Sequence, residues 1–492
     1  MALFERCSDH VFEIMNMHTF LWHDYETFGK NTRTARPAQF AAIRTDADLN
    51  EIGEPLELFC QPAPDFLPEP EACLITGITP QQCLKNGVPE HEFAEQILNA
   101  FSEPNTIGVG YNTIRYDDEI TRFMFWRNLI DPYAREWQNG CSRWDIIDLA
   151  RVTYALRPEG IEWPRNEQGK ISFKLTDLTE ANGIMHESAH DAVSDVRATI
   201  ALARLIKTKQ PKLFDFYLNL RQKDKVNDEI GLHLNPRKPF LHLSSMFPSE
   251  RAHLALVFPL AVHPTNKNEV IVWDCAFDPS ELFDLDAAAI AQRMFTRVDE
   301  LPEGVTRLPI KTIHINKSPV VIRNLKVLDG AAQQRCNLDL EINLYHAQIA
   351  ADKISCKDLS SVWQAVFARE FESSDVDESL YSGFVGNNDR RLLNQLRALS
   401  PEALAQAQPS FTDDRLTELV FRYRARNYPQ TLNEDEYETW QQHCAERLHG
   451  GAAGALSLEA FFAELEKLSR DADAKQVHVL QDLHDYAYLI AP

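Results

Sequence analysis

The 492-residue chain lacks long hydrophobic runs. No stretch of 18 or more consecutive apolar residues occurs, which excludes a helical membrane span. It lacks a secretory start as well. Residues 1–18 (MALFERCSDHVFEIMNMH) mix Glu5, Arg6, Asp9 and Glu13 into the apolar positions, with no basic segment followed by an apolar one. Paired cysteines are missing. The nine cysteines are scattered singly, with no C-x-x-C and no His/Cys cluster. This argues against a disulfide framework and a zinc site and fits a reducing cytoplasm. Positive charge is in deficit, with 50 Lys and Arg against 73 Asp and Glu and a net charge of −23. Such a surface does not coat nucleic acid non-specifically, although a local basic track on an acidic body remains compatible with a nucleic-acid enzyme. Internal repeats and low-complexity segments are also absent. What is present is a globular composition, 44% hydrophobic and 25% charged, at a length that suits two to four domains.

Along the chain, residues 19–206 read as one α/β unit. Strands are expected at the start (TFLWHDYET), at Ala38 to Thr45, at Glu54 to Gln61 and at Thr106 to Tyr111. Helices are expected over Glu90 to Phe101, from Asn112 to Asp131, over Asp145 to Tyr154 and Leu175 to Asn182, and over Asp191 to Lys207 with an apolar stripe. Leu74 to Thr79 reads as a short loop able to lie along a substrate. A basic, proline-bearing segment at Lys207 to Lys212 marks a boundary. Residues 211–351 are β-rich, with strands expected over His253 to Val262, Asn268 to Cys275 and Lys311 to Ile322, as in a small barrel. From 352 to 490 the pattern is all-helical.

The stretch TFLWHDYETFG places Asp24 and Glu26 at i and i+2. On a strand these side chains share a face. Two neighbouring carboxylates repel, and a hard divalent cation such as Mg²⁺ is their natural partner. Alone, a D-x-E triplet is common and is better explained by a solvated strand end. Three later features add to it. Asp117 and Asp118 follow the Thr106 to Tyr111 strand in the first turn of a helix, where acidic residues also offset the helix dipole. Spacing does not choose between them. The segment HDAVSD carries His190 and Asp195. Five residues rotate a helix by about 140° past a full turn, so the two cannot share one regular helical face. His190 then belongs to the preceding loop, and Asp195 to the early turns facing the sheet. The third feature is the Leu74 to Thr79 segment.

In this order (D-x-E, then Asp, then H-x4-D) the chain resembles the DEDDh 3′→5′ exonuclease superfamily. The motifs HDYETFG, RPAQFAAIRTD, LITGITPQ, GYN-x-x-R-(F/Y)-DDE, ALRPEGI-x-WP, ANGI-x-H-(x)3-HDA, HINK-x-PV and YRARN-(F/Y)-P, with Tyr116 and Tyr428 at the F/Y positions here, are similar to those of bacterial exonuclease I. The resemblance runs from about residue 19 to the C-terminus.

It implies a multidomain α+β fold. A ribonuclease H-like mixed-sheet exonuclease domain (19–206), an SH3-like β-rich barrel domain (211–351) and an all-α domain (352–490) would form a C-shaped clamp. It further implies that Asp24, Glu26, Asp117 and Asp195 hold two Mg²⁺ ions, with Mn²⁺ able to substitute. His190 would be the general base that takes a proton from water. Arg122, Tyr133, Trp137, Arg151 and Lys174, together with Glu26, would contact the single strand. Lys174 stands where the family offers Arg, so it keeps the charge and loses the bidentate fork. Arg422, Arg424 and Arg426 are candidates for the far wall of a DNA channel. The implied activity is processive 3′→5′ degradation of single-stranded DNA to 5′-mononucleotides, in repair and recombination, by a cytoplasmic monomer. The implied protein partner is the acidic tail of single-stranded DNA-binding protein, with Arg157 in the matching motif. An RNA-trimming or proofreading exonuclease fits less well, because two large domains are added to the catalytic fold. A scaffold without chemistry would be expected to have lost one of the five site residues, and all five are present.

Overall fold

The computed structural model describes residues 18–186, 191–368 and 375–491. The chain divides into two compact units. The first holds residues up to 142, 186–197 and from 371 onward; the second holds 143–185 and 198–370.

The first unit is built on strands β1 (Thr19–Thr27), β2 (Pro37–Thr45), β3 (Glu51–Phe59) and β4 (Thr106–Gly110). β1 pairs antiparallel with β2 and parallel with β4, and β2 pairs antiparallel with β3. The sheet is therefore mixed, with β1 inside it. Its apolar start explains that place, since Phe20, Leu21 and Trp22 are all buried. β4 approaches β1 closely at Gly110, where a Cβ would sit 2.5 Å from the His23 carbonyl oxygen. Only glycine allows that distance.

Helices Glu90–Ser102 and Asp117–Arg127 cover one face, through a cluster that includes Leu21, Tyr25, Phe40, Phe93, Phe101, Ile120 and Met124. Burying each such side chain contributes roughly 1.5–3 kcal/mol. The C-terminal helices belong to this same unit. Helices Glu434–Leu448, Leu458–Ser469 and Ala474–Ile490 pack Leu448, Phe461, Leu465 and Leu483 against Phe28, Cys73 and Cys83. Phe123 and Trp126 meet Leu380, Leu396 and Leu419. The Asp117–Arg127 helix is thus buried on nearly every face, and its charged side chains need partners inside the protein.

Strand β5 (Ser142–Asp145) carries the chain into the second unit. Helix Ile146–Leu156 follows, capped by the Asp145 carboxylate, which accepts from the Ile147 amide at 3.0 Å. The second sheet is antiparallel throughout, in the order β10-β6-β7-β8-β9, with β6 (Phe240–Leu243), β7 (Leu254–Val262), β8 (Glu269–Asp274), β9 (Ile310–His314) and β10 (Val321–Ile322).

The structure corrects several expectations. β6 was not anticipated; four residues are too few for a clear period-2 signal. The β-rich region also carries helices Pro211–Asn219, Lys223–Ile230 and Ala287–Phe295. The segment 74–79 is a loop only in its second half. Helix Pro70–Thr76 ends at Gly77, whose φ of 73° suits a left-handed cap, and Thr79 caps helix Pro80–Asn86. The helix expected from Asn112 starts only at Asp117. Helix Leu340–Cys356 runs unbroken across residue 351, where a domain boundary was expected.

Candidate active site

β1 ends in two carboxylates on one face. The Ala192–Lys209 helix places a third, Asp195, in its first turn. Oxygens of Asp24, Glu26 and Asp195 all lie within 4.8 Å of one another. Burial raises the Asp24 carboxyl well above its ordinary range, and Asp117, Glu26 and Asp195 raise it further by repulsion. Burial likewise pushes Glu26 up to about 8, with repulsion from Asp195 and Asp191 added. Hard oxygen donors gathered this closely, and made reluctant to ionise together, suit a divalent cation of the Mg²⁺ type.

The two adjacent aspartates have separate fates. Asp117 turns toward β1, and its Oδ1 accepts the Tyr25 amide at 3.0 Å. Asp118 is 1% exposed and forms an ion pair with the equally buried Arg135. Asp117 is therefore the one of the pair that adds its charge to the Asp24 site. The floor beneath is apolar and aromatic. Burial lowers the His23 imidazole to about 4, which keeps it neutral, and its ring centroid lies 4.9 Å from that of Phe101.

His190, the expected base, lies outside the described residues, as do residues 1–17. Sequence reasoning overlooked His186, whose Nε2 hydrogen-bonds the Asp195 carboxylate. It also overlooked Tyr116, whose hydroxyl meets the end of β1. Both lie in motifs already quoted, but nothing in their spacing marks them.

The expected strand contacts separate into groups. In the first unit, Arg122 is 3% exposed and held by Glu136 (Nε–Oε1 2.7 Å), Glu119 (2.6 Å) and the Tyr381 hydroxyl (3.2 Å). Its guanidinium also lies 5.2 Å from the Tyr133 ring centroid. Arg122 thus supports Tyr133 from within. Tyr133 is half-buried, whereas Trp137 is 64% exposed.

In the second unit, Arg151 pairs with Asp148 at 2.8 Å and lies 5.9 Å from the Phe173 ring. Lys174 is exposed and lines a cavity of about 730 Å³ with Arg165, Asn166 and Asp177. Arg157 donates to the Val327 carbonyl at 3.0 Å.

Arg422, Arg424 and Arg426 do not form an open wall. Arg422 pairs with Asp375 at 2.6 Å, Arg424 with Glu436, and Arg426 with Asp65 at 2.8 Å and with Asp377. Carboxylates brought in from other segments consume all three charges.

Such a carboxylate cluster at the end of the central strand of a mixed sheet defines a metal-dependent nuclease site. Comparison with known proteins identifies the family. The model described as "Exonuclease" matches residues 21–203, "Exonuclease I SH3-like domain" matches 221–369, and "Exonuclease I C-terminal domain" matches 374–490. Exodeoxyribonuclease I of Haemophilus influenzae is 42% identical over 471 residues, covering 95% of this chain and 98% of that protein. A zinc-bound structure of the Escherichia coli exonuclease I complex with single-stranded DNA superposes with a TM-score of 0.88 at 42% identity, covering 96% of this chain and 99% of that one. A structure described as single-stranded DNA-binding protein/exonuclease I in complex with an inhibitor superposes at 0.88 and 41% identity, covering 97% of this chain and 100% of that one. The chain belongs to the exonuclease I family, and it is a nuclease hydrolase.

Proposed function

We propose that this protein removes 5′-mononucleotides processively from the 3′ end of single-stranded DNA, in repair and recombination. The observation that carries this reading is the group formed by Asp24, Glu26 and Asp195, with Asp117 tied to the same strand. Together these four would hold two Mg²⁺ ions, or Mn²⁺ in their place. When bound, such ions activate water and neutralise charge on the leaving oxygen.

The chain's own residues supply the rest. Asp24 and Glu26 fix the metal position from a rigid strand. A bound cation would offset the repulsion that raises their affinity for protons. His190 accepts the proton from water. Trp137 and Tyr133 offer ring faces for bases, and stacking is worth roughly 1–3 kcal/mol per base without sequence preference. Arg122 keeps Tyr133 in place. Arg151 and Lys174 are proposed phosphate contacts, Lys174 as a point charge.

The complexes reported for the relatives support single-stranded DNA as substrate and single-stranded DNA-binding protein as partner. Arg157 is proposed to meet the acidic tail of that partner. No described helix is long and apolar enough to cross a membrane, and we place the protein in the cytoplasm as a monomer. We read an exonuclease domain at 19–206, an SH3-like domain from 211 and a helical C-terminal domain. The last boundary is moved from 351/352 to a point beyond the Leu340–Cys356 helix.

The test uses purified protein with matched DNA and RNA single strands, with Mg²⁺ and with EDTA. The expected result is nucleotide release from the 3′ end of DNA in Mg²⁺ only. Preference for RNA would overturn the substrate, and release in EDTA would overturn the metal site. His190→Ala is expected to lower kcat without changing the Mg²⁺ requirement; the reverse pattern would make His190 a ligand or support.

A further inference from the structure

The end of β1 is held from the helix opposite by two consecutive residues. Asp117 accepts the Tyr25 amide at 3.0 Å. Tyr116, immediately before it, reaches past Glu26 to the other side. Its hydroxyl donates to the Gly29 carbonyl at 2.9 Å and lies 2.7 Å from Thr27 Oγ1. Thr27 Oγ1 donates to the same Gly29 carbonyl at 2.7 Å. The three groups close a triangle, and Glu26 sits between the two tethers.

This is also where the β1–β2 ladder is irregular. Glu26 opposes Gln39 and Thr27 opposes Pro37, so Ala38 is an extra residue. A bulge re-aims neighbouring side chains and interrupts pairing. The strand end therefore relies on side chains to fix its direction. Beyond it, the chain is pinned again. The Lys30 amide lies 3.2 Å from both Glu69 carboxylate oxygens, and the Glu69 amide donates to the Phe28 carbonyl at 2.8 Å.

We propose that Tyr116 is a positioning residue for the metal site: its hydroxyl, through Thr27 and Gly29, sets the direction of the end of β1 that carries Glu26, opposite the bulge at Ala38 of β2. The inference rests on the reading of Asp24, Glu26, Asp117 and Asp195 as metal ligands. Tyr116 touches none of the reacting atoms and acts through the backbone that carries Glu26. Side chains that orient a ligand govern metal affinity by about 10–100-fold. Removing one hydroxyl should fall at the low end of that range.

The experiment compares wild type, Tyr116→Phe, Thr27→Val, the double variant and Asp24→Ala, each as the full chain. Mn²⁺ binding is measured calorimetrically without DNA, alongside the thermal midpoint in EDTA and kcat and KM for a single strand. Tyr116→Phe is expected to weaken Mn²⁺ binding about tenfold and to lower kcat at fixed Mg²⁺, with KM for DNA and the midpoint in EDTA unchanged. Excess Mg²⁺ should recover part of the lost kcat. The double variant should bind Mn²⁺ no more weakly than Tyr116→Phe by more than about twofold, because both changes open the same triangle. Wild-type Mn²⁺ affinity in Tyr116→Phe overturns the inference, and so does a fall in midpoint with no change in affinity. If Asp24→Ala also binds Mn²⁺ normally, the metal-site reading itself has failed; if Asp24→Ala loses binding and Tyr116→Phe does not, only the positioning role is lost.

Discussion

The Tyr25 amide and the Asp117 carboxylate, 92 residues apart in sequence, are joined by a 3.0 Å hydrogen bond. That bond sets Asp117 beside the Asp24 site, while its neighbour Asp118 is consumed by Arg135. The two aspartates should therefore respond differently to substitution. Asp117→Asn is expected to reduce Mg²⁺-dependent hydrolysis by about a hundredfold or more, if a ligand charge is worth about 3 kcal/mol in the transition state. Its fold should be kept. Asp118→Ala leaves a buried guanidinium unpaired and should cost about 3–5 kcal/mol of stability, read by denaturant unfolding, with hydrolysis retained in the folded fraction.

The metal-free site opposes its own ionisation, and the sign of the pH effect follows. Folded Asp24 and Glu26 hold protons that the unfolded chain releases near pH 4. Stability from this source is fully present below that pH and is lost as pH rises toward about 8, the value for Glu26. In EDTA the thermal midpoint should fall between pH 5 and 8. Glu26→Gln should flatten that slope and raise the midpoint at pH 8 by about 1–3 °C.

A second charge cluster works in the opposite direction. Asp65 and Asp377 are almost wholly buried beside Arg426, with Arg36 also near. Although burial alone would raise both carboxyls, the arginines dominate and hold them well below the usual carboxylate range. Their contribution is present above the unfolded value near 4 and lost as pH falls through the folded value. Asp377→Ala should cost about 3–5 kcal/mol at pH 7 and clearly less at pH 3, as measured by urea unfolding at the two pH values.

Trp137 and Arg122 were expected in one role, and their surroundings differ. Trp137 is exposed, so Trp137→Ala should raise KM for single-stranded DNA by about tenfold, the equivalent of one lost stacking contact, with kcat preserved. Arg122 is buried among Glu119 and Glu136. Arg122→Ala should lower the unfolding midpoint as well as raising KM. Steady-state kinetics and thermal melts of the two variants check both statements.

The D-x-E pair was legible because a strand repeats every two residues, which puts Asp24 and Glu26 on one face. Asp195 was legible because its helix has a clear apolar stripe. The choice between Asp117 and Asp118 was legible only through the family resemblance and not from spacing, since it depends on Tyr25 and Arg135 across the fold. The fate of Arg426 was hidden for the same reason: Asp65 is 361 residues away, and no local period predicts that contact. Tyr116 could be found only once the bulge at Ala38 was seen. Among the elements, the helical character of the chain beyond residue 352 was legible, and long periodic helices such as Arg415–Asn427 and Glu434–Leu448 bear it out. Short β6 and the small helices of the second unit carried too few residues for their period to show.

The most direct test is release of nucleotides from a 3′-labelled single strand by wild type and Asp24→Ala, each with Mg²⁺ and with EDTA. Wild type should release labelled mononucleotide first, in Mg²⁺ only, and Asp24→Ala should release almost none while melting as a folded protein. Undiminished Mg²⁺-dependent release by Asp24→Ala would contradict the carboxylate metal site at the end of β1.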